Sequence, residues 1–385
     1  MISTKVDCSN STLDEDGGFM LNGIDRLDEV KALLGGRKVG LITNPTGVDR
    51  ELRATADLLR DHVVCFFGPE HGIRGMVQDE LHVGHSVDPV TGLPEFSLFG
   101  EQLAPDADML KPLDCLVFDI QDVGVRFYTY SATMVLAMEA AWKHGKSFVV
   151  LDRYNPLGRK IQGILPGIHS FLSYHNATTR HGMTVGEIAT MAQKQRFPDL
   201  DLHVVKIKDW QDKPSPTWIP PSPHMPSRLC AQVYPGTCLI EGTSISEGRG
   251  TANPFEIIGA PWLDARKLAA AMNDKALPGV LFRPTYFAPV GFKHDDIPCQ
   301  GVQAHVTDPF VLNPVRMGVH LVDTLRRQSG EYLTWRFLPE YDNYMIDLLH
   351  GDDCLRRGVP IDEIFEQMDK DEAAFAEASR EYYLY

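Results

Sequence analysis

Polar residues concentrate in four short segments of this 385-residue sequence, at residues 44–47, 68–75, 119–130 and 152–156, and the last three contain carboxylates and arginines, with tyrosines in 119–130 and 152–156. Carboxylates can serve as general acid, base or nucleophile. Arginine forks hold a carboxylate through two parallel hydrogen bonds, and tyrosine rings can stack on sugar faces. Together these residue types favour a polar, ring-shaped, anionic ligand. The candidate residues in the four segments are Asn44, Glu70, His71, Arg74, Asp119, Asp122, Arg126, Tyr128, Tyr130, Arg153 and Asn155.

Glu70 is the strongest candidate for a functional residue. It follows a Gly-Pro break at the end of a predicted strand and lies among glycines, where the backbone can approach a ligand closely. Structural roles stay open for other residues, because Asp119 and Asp122 can cap the helix that follows and Asn44 begins a sequence typical of a turn.

A glycine-rich segment, EGTSISEGRGT at residues 241–251, lies in the second half of the chain. It carries Glu241 and Arg249 together with several hydroxyl residues. One interpretation is a loop that joins two elements. The other is a cap over the strand ends, in which Glu241 or Arg249 faces the ligand.

Motifs for cofactors and metals are missing from the sequence. None of the patterns GxGxxG after a strand, GxxxxGK[ST], HExxH and GxSxG occurs. His71, His82 and His85, with Asp79, carry metal-ligating side chains, but the glycine and proline nearby favour a solvated loop. We therefore expect neither a metal nor a cofactor.

Short apolar runs alternate with helical patterns along the first half of the chain. Predicted strands cover residues 38–43, 63–67, 113–120, 148–151 and 203–207, and predicted helices cover residues 51–60, 134–142 and 185–195. This alternation indicates a parallel sheet that helices cover on both faces. With right-handed crossovers it gives an α/β, Rossmann-like, doubly wound domain. Because ligands bind beyond the carboxyl ends of such strands, the four polar segments are expected to converge on one rim.

A proline-dense stretch at residues 213–226 divides the sequence. Such a stretch is stiff and extended, which suits a connection between domains. We expect a disordered tail over residues 1–20, the Rossmann-like domain over residues 21–225 and a smaller α+β domain over residues 226–385. Predicted strands of the second domain lie near residues 237–241, 280–282 and 301–306, and predicted helices lie near residues 264–274, 314–328 and 360–380.

The composition excludes several classes of protein. The 37 basic and 52 acidic residues give a formal net charge of −15, whereas binding to nucleic acid or to an anionic membrane needs a basic footprint. No apolar run approaches the roughly 18 residues of a membrane-spanning helix, so we expect no membrane insertion. Residues 1–18 lack the pattern of a secretory signal, so the sequence as it stands predicts a cytoplasmic protein, or an exported one if a leader is missing. The oligomeric state stays open.

Five strings of the sequence are more specific than these general patterns. They are GPEHGIRG at residues 68–75, FDIQDVGVRFYTY at 118–130, LDRYNPLG at 151–158, RHGMT at 180–184 and EGTSISEGRGT at 241–251. From about residue 22 to the C-terminus, the chain resembles the exo-β-N-acetylmuramidases of glycoside hydrolase family 171. The resemblance implies release of N-acetylmuramic acid from the non-reducing end of peptidoglycan fragments. It also implies a Rossmann-like domain and a smaller second domain, with the active site in the cleft between them.

The resemblance assigns roles to particular residues. The cleft glutamate of the family corresponds to Glu70, and its cleft tyrosine corresponds to Tyr128 or Tyr130. Glycoside cleavage requires an acid that is protonated near neutral pH and donates its proton to the leaving oxygen, and Glu70 is the first candidate for it. Asp122 and Glu241 are the next candidates. The lactyl carboxylate of N-acetylmuramic acid would need a cation. The candidates for that cation are Arg74, Arg126 and Arg249.

Four positions depart from the residues that the family usually has. Phe99 replaces a tyrosine, Tyr154 a proline, Gln162 a glutamate and His224 an asparagine. The changes remove a hydroxyl, a carboxylate and an amide, so the exact substrate preference stays open. A non-catalytic module that binds an amino sugar in the same cleft is the alternative function.

Overall fold

A seven-stranded sheet forms the centre of the first half of the chain. The protein is represented by a computed structural model that describes residues 20–75, 86–212 and 217–385. The strands of this sheet are β1 Val39–Thr43, β2 Val63–Gly68, β3 Ser86–Val87, β4 Pro94–Ser97, β5 Cys115–Asp119, β6 Ser147–Leu151 and β7 Leu202–Val205. Their order is β3-β4-β2-β1-β5-β6-β7, and all are parallel except β3, which pairs antiparallel with β4.

The burial of the central strands explains this arrangement. β1 and β5 are buried at every position, as expected for parallel strands that are covered on both faces. β2 and β4 extend the sheet on one side of β1, and β6 and β7 extend it on the other side of β5. The direction of winding therefore reverses between β1 and β5, and the predicted α/β, Rossmann-like, doubly wound fold is confirmed.

Helices cover both faces of this sheet. They are α1 Leu27–Leu34, α2 Thr55–Leu58, α3 Ala107–Leu110, α4 Thr129–Lys143 and α5 Val185–Arg196. α4 and α5 pack in the larger apolar core on one face, whereas Val30 and Leu34 of α1 belong to a smaller core on the opposite face. α5 begins with a capping box, in which Thr184 and Glu187 each accept a hydrogen bond from the other's backbone N–H.

The second half is a smaller α+β region, as predicted. Its three-stranded antiparallel sheet has the order β8-β10-β9, and β11 and β12 form a separate hairpin. The strands are β8 Ile257–Ala260, β9 Val280–Phe287, β10 Cys299–Val306, β11 Phe337–Leu338 and β12 Asn343–Tyr344. The helices are α6 Arg228–Thr237, α7 Ala265–Asn273, α8 Pro314–Ser329, α9 Met345–His350, α10 Cys354–Arg357 and α11 Ile361–Ser379.

Two predicted elements differ from the structure. The predicted strand near residues 237–241 is wrong, because Cys238–Gly242 forms a buried 3₁₀ helix that continues directly from α6. Its apolar run is enclosed on all sides, and such a run does not distinguish a buried strand from a buried helical turn. The predicted helix over residues 51–60 is shorter, because Asp49 accepts hydrogen bonds from the backbone N–H groups of Glu51 and Arg53 and holds that segment in a turn.

One apolar core connects the two halves. It includes Phe118 of β5 and Ile188 of α5 as well as Val233 of α6 and Leu321 of α8. The division at residue 225 stays a prediction, and the predicted tail, apart from Met20, lies outside the described residues. None of the described helices combines the length and the apolar run that a membrane span requires.

Candidate active site

A cavity of about 590 Å³ lies between the first and second halves of the chain. The segment after β2, the start of α4, the loop before α6 and the 3₁₀ helix Cys238–Gly242 all contribute to its walls. The polar residues that line it are Glu70, His71, Tyr128, Thr129, Ser222, His224, Tyr234, Cys238, Glu241, Arg249, Arg336, Glu340 and Tyr341. The apolar residues that line it include Phe99, Leu103, Phe127, Phe171, Leu172, Phe255, Leu338 and Met345.

Glu70 is half-buried in the cavity wall, in the turn that follows β2. Its Oε2 accepts a 2.8 Å hydrogen bond from the hydroxyl of Thr129, the first residue of α4. A second hydrogen bond holds the same turn against β4, because the backbone N–H of Ile73 donates to Oε1 of Glu95 over 3.1 Å. His71 follows in the left-handed region at φ 75°, which a non-glycine residue rarely adopts. The end of β2 and the start of α4 therefore present this carboxyl group to the cavity.

The two candidate tyrosines lie in different places. Their rings pack edge to face at a centroid distance of 5.0 Å, but only Tyr128 lines the cavity. Burial raises the pKa of Tyr128 well above its usual range, so the phenol is protonated at neutral pH. The hydroxyl of Tyr130 donates a 2.5 Å hydrogen bond to the carbonyl of Pro221, behind the cavity wall. The geometry thus favours Tyr128 over Tyr130 as the cleft tyrosine.

Asp122 lies beneath the cavity wall at the N-terminal end of α4. Its Oδ1 accepts a 2.6 Å hydrogen bond from the backbone N–H of Gly124 and lies 3.9 Å from Nε2 of His181. Burial raises the pKa of Asp122 to about 7, although the backbone N–H groups of Gly124 and Ser131 partly offset that effect. Burial also lowers the pKa of His181 to about 3, so its ring is neutral. Asp122 does not line the cavity, which agrees better with the helix-capping alternative than with direct contact to a ligand.

Arg249 and Glu241 both line the cavity from the second half of the chain. The Arg249 guanidinium contacts Oε1 of Glu241, and its Nε donates to Oε1 of Glu247 over 2.8 Å. Lys293 donates to Oε2 of Glu247 over 2.8 Å. Although burial opposes it, the charges of Lys293 and Arg249 hold the pKa of Glu247 below its usual range. The glycine-rich segment therefore forms a charged wall of the cavity, as the second interpretation of it anticipated.

Asp119 and Arg153 form a buried ion pair away from the cavity. Arg153 Nε donates to Oδ1 of Asp119 over 2.5 Å, and its guanidinium also donates to the carbonyl of Val48. The Thr55 hydroxyl donates to the other oxygen of Asp119, and the Thr43 hydroxyl donates to the Asp119 carbonyl over 2.9 Å. These bonds tie the ends of β1, β5 and β6 together.

Four other predicted binding residues also form structural contacts within the protein. Asn44 closes the predicted turn over residues 44–47, where its side chain accepts a 2.9 Å bond from the backbone N–H of Thr46. Arg74 holds Asp88 through two hydrogen bonds, and this contact lowers the pKa of Asp88 to about 2. Asn155 donates to a backbone carbonyl over 3.0 Å.

Arg126 is the fourth of these residues and is fully buried. Its guanidinium donates to the carbonyls of Leu349 and His350 at the end of α9, over 2.7 and 2.8 Å, and to the carbonyl of Ile164. The predicted convergence of all the polar segments on one ligand rim is therefore only partly observed. Asn44, Arg74, Asp119, Arg126, Arg153 and Asn155 do not line the cavity.

The departures from the usual family residues fall into two groups. Phe99 and His224 line the cavity, whereas Tyr154 and Gln162 lie elsewhere. Gln162 accepts a 3.0 Å hydrogen bond from the guanidinium of Arg180, which is a structural contact. Sequence reasoning missed the cavity residue Arg336, which lies outside every polar segment.

The comparisons with known proteins agree with this architecture. The family models described as "Exo-beta-N-acetylmuramidase NamZ", N-terminal and C-terminal, match residues 39–229 and 232–385. The chain belongs to this family. It is 41% identical over 380 residues to the peptidoglycan β-N-acetylmuramidase NamZ of Bacillus subtilis (strain 168), which covers 94% of this chain and 91% of that protein.

Two solved structures share the family's fold. Both are described as DUF1343 family proteins from Bacteroides fragilis NCTC 9343. One is 36% identical with a TM-score of 0.86, covering 95% of this chain and 99% of the other. The second is 26% identical with a TM-score of 0.74, covering 96% and 99%.

Proposed function

We propose that this protein is a glycoside hydrolase that releases N-acetylmuramic acid from the non-reducing end of peptidoglycan-derived glycans. The observation that carries the proposal is the position of Glu70, the residue that corresponds to the family's cleft glutamate, in the wall of the cavity between the two halves. The curated relative with 41% identity is a peptidoglycan β-N-acetylmuramidase, which supports the same chemistry for this chain.

In this proposal Glu70 protonates the oxygen that leaves the anomeric carbon. The Thr129 hydroxyl donates to Oε2 of Glu70 and so orients the carboxyl group in the cavity wall. Tyr128 lies in the same wall, with its ring beside the cavity and its hydroxyl buried behind the ring. The positive charge that develops on the sugar ring as the bond breaks would be balanced by the carboxylate of Glu241, which lines the same cavity.

The experiment compares two aryl glycosides that differ only in the lactyl group. Purified protein is expected to release the aryl group from an aryl β-N-acetylmuraminide and to act much less on the matching N-acetylglucosaminide. Release from neither compound over days would contradict the proposed hydrolysis. Equal rates on both would contradict the specificity for muramic acid.

The binding-module alternative rests on Phe99 and His224, the two departures that line the cavity. Calorimetry with N-acetylmuramic acid separates it from the hydrolase. Binding of the sugar without any release from the aryl glycoside would favour a module that binds and does not cleave.

A further inference from the structure

Three side chains of types that bind metal ions meet where α9 ends. They are the imidazole of His350, the carboxylate of Asp352 and the thiol of Cys354. Nδ1 of His350 lies 2.9 Å from Oδ1 of Asp352 and 3.7 Å from Sγ of Cys354, and the three atoms all lie within 4.8 Å of one another. In the part of the chain that the structure describes, this is the one group of three such side chains this close together.

The backbone between α9 and α10 brings these side chains to one point. His350 is the last residue of α9, and Gly351 follows in the left-handed region at φ 115°, so the chain turns sharply there. The backbone N–H of Cys354, the first residue of α10, donates to Oδ1 of Asp352 over 3.0 Å. The ligands are therefore alternate residues of the segment HGDDC at residues 350–354. None of the common metal motifs has this spacing, so the sequence pattern alone gave no reason to expect a metal here.

The distances between the three atoms suit a tetrahedral metal ion. Zinc binds imidazole nitrogen and carboxylate oxygen at about 2.0–2.2 Å and thiolate sulfur at about 2.3 Å, which places two ligand atoms of a tetrahedral site about 3.4–3.6 Å apart. The 3.7 Å between Nδ1 and Sγ is close to this value. The 2.9 Å between Nδ1 and Oδ1 requires the partly exposed side chain of Asp352 to move by about 0.5 Å. A thiolate beside an imidazole favours zinc over magnesium or calcium, which prefer oxygen ligands.

The charges near the cluster permit a divalent cation. The other charged side chains around α10 and the end of α9 that interact with one another or with Asp352 are Arg126, Asp347, Asp353, Arg356 and Arg357. Together with Asp352 they amount to three acidic and three basic groups. A zinc ion adds two positive charges, and the proton that leaves the thiol removes one. The net change on binding is therefore one positive charge.

The cluster lies directly behind a wall of the cavity. Met345 and Leu349 of α9 line the cavity, and His350 follows them as a buried residue at the end of the helix. The carbonyls of Leu349 and His350 are held by the guanidinium of Arg126. A metal ion bound to His350 would hold the same helix end from its side chain.

We propose that His350, Asp352 and Cys354 bind a zinc ion that fixes the end of α9 behind the cavity. Bonds form from the metal to Nδ1, Oδ1 and Sγ, the S–H bond breaks and its proton passes to solvent, and the ring proton that faces Asp352 moves to Nε2. Three protein ligands leave the fourth tetrahedral position to a water molecule. Nε2 is buried and has no hydrogen-bond partner among the described residues, so binding should be weaker than at a structural site with four protein ligands.

Titration of the purified, untagged and metal-free full chain with Zn²⁺ tests this proposal. One ion per chain should bind with a Kd in the micromolar range, and Co²⁺ in its place should give the absorption band of a cobalt–thiolate bond. Cys354→Ser should abolish that band and weaken zinc binding by at least about 10-fold, a loss that even removal of an outer partner of a ligand causes. Asp352→Asn should weaken zinc binding and keep the band.

Cys299→Ser is the matched control, since Cys299 is a buried thiol of β10 outside the cluster. It should bind both metals as the wild type does. Circular dichroism of the metal-free variants shows whether they fold, and Asp352→Asn decides the question if Cys354→Ser does not. A wild type without saturable binding in this range, or zinc binding that the cluster variants leave unchanged, would overturn the proposal. Neither result depends on hydrolysis, which the aryl glycosides test separately.

Discussion

Glu70 is the residue on which the proposed hydrolysis depends most directly. Replacing it by glutamine keeps its shape and removes the proton donor. We expect Glu70→Gln to fold normally and to lose at least about 100-fold in kcat on a disaccharide substrate, the low end for general acid–base catalysis. The loss should be smaller for an aryl glycoside whose leaving group is acidic enough to depart without protonation.

Steady-state kinetics on both substrates measure this difference. Glu377→Gln serves as the control, because Glu377 is exposed on α11 and lies outside the cavity. Near-wild-type turnover of the disaccharide by Glu70→Gln would show that another carboxyl group is the acid. Glu241 would then be the next candidate, because it lines the same cavity.

The adjacent tyrosines make a matched pair of variants. Tyr128→Phe removes the buried hydroxyl of a ring that lines the cavity, and we expect a large loss of kcat that approaches that of Glu70→Gln. Tyr130→Phe removes the buried hydrogen bond to Pro221, so it should cost about 1 kcal/mol of unfolding free energy and leave catalysis nearly intact. Kinetics and chemical denaturation on both variants separate the two effects. A larger kinetic defect in Tyr130→Phe would reverse the assignment.

At the scale of an element, the start of α4 carries a buried carboxyl group that lowers stability. The pKa of Asp122 is raised to about 7 in the folded protein because of burial, so the folded state retains this proton more tightly than the unfolded state. The free energy of unfolding should therefore fall as the pH rises from about 4 to about 7, by at most roughly 4 kcal/mol from this group. Asp122→Asn removes the effect.

Urea denaturation of the wild type and Asp122→Asn across this pH range checks the expectation. The variant should gain stability relative to the wild type as the pH rises, and the difference should level off above pH 7. A difference that stays constant with pH would show that Asp122 titrates normally in the folded protein. Asp152 has a pKa raised in the same direction, to about 6, and is unchanged in both proteins, so the difference isolates Asp122.

The elements of the sheet could be predicted because their apolar runs are local signals. Residues 63–67 and 148–151 are buried strands in both the prediction and the structure. The same signal failed for residues 237–241, since a buried 3₁₀ helix is as apolar as a buried strand. The roles of the polar residues at the strand ends depend on partners far away in the chain, and no local pattern reports such partners.

Arg126 illustrates this limit. Two of its three carbonyl partners lie 223 and 224 residues away, at the end of α9, so its spacing from Glu70 and Tyr128 carried no information about them. The sequence pattern therefore suggested ligand binding for a residue whose contacts are structural. Arg336 is the opposite case. Backbone hydrogen bonds to Gly242 and Met345 hold it at the cavity, and no sequence motif indicates these contacts.

At the scale of the whole molecule, the last residue packs against the first half of the chain. The Tyr385 hydroxyl donates to Oδ2 of Asp152 and accepts from the backbone N–H of Ile207, both over 2.7 Å, and its ring stacks on Trp210. Tyr385→Phe should lower the free energy of unfolding by about 1–3 kcal/mol, since it leaves buried polar groups without a partner. Catalysis should be unchanged, because Tyr385 lies outside the cavity.

Denaturation curves for Tyr385→Phe and for the control Tyr286→Phe, an exposed tyrosine of β9, measure this contribution. Because one apolar core runs through both halves, each curve should show a single transition whose midpoint shifts in the first variant alone. Two separate transitions, or equal shifts in the two variants, would contradict a structural role for the C-terminal residue.

The ion pair between Asp119 and Arg153 also has a consequence for ligand design. In sheets with this strand order, the mouth between β1 and β5 is where dinucleotide cofactors usually sit. Here the side chains of Thr43 and Arg153 at that mouth are hydrogen-bonded to Asp119 instead of being presented to a nucleotide. Inhibitor screens should therefore set aside nucleotide mimics, which this scaffold would ordinarily suggest. Sugar-shaped compounds directed at the opening beside β2 and α4 are the better starting point.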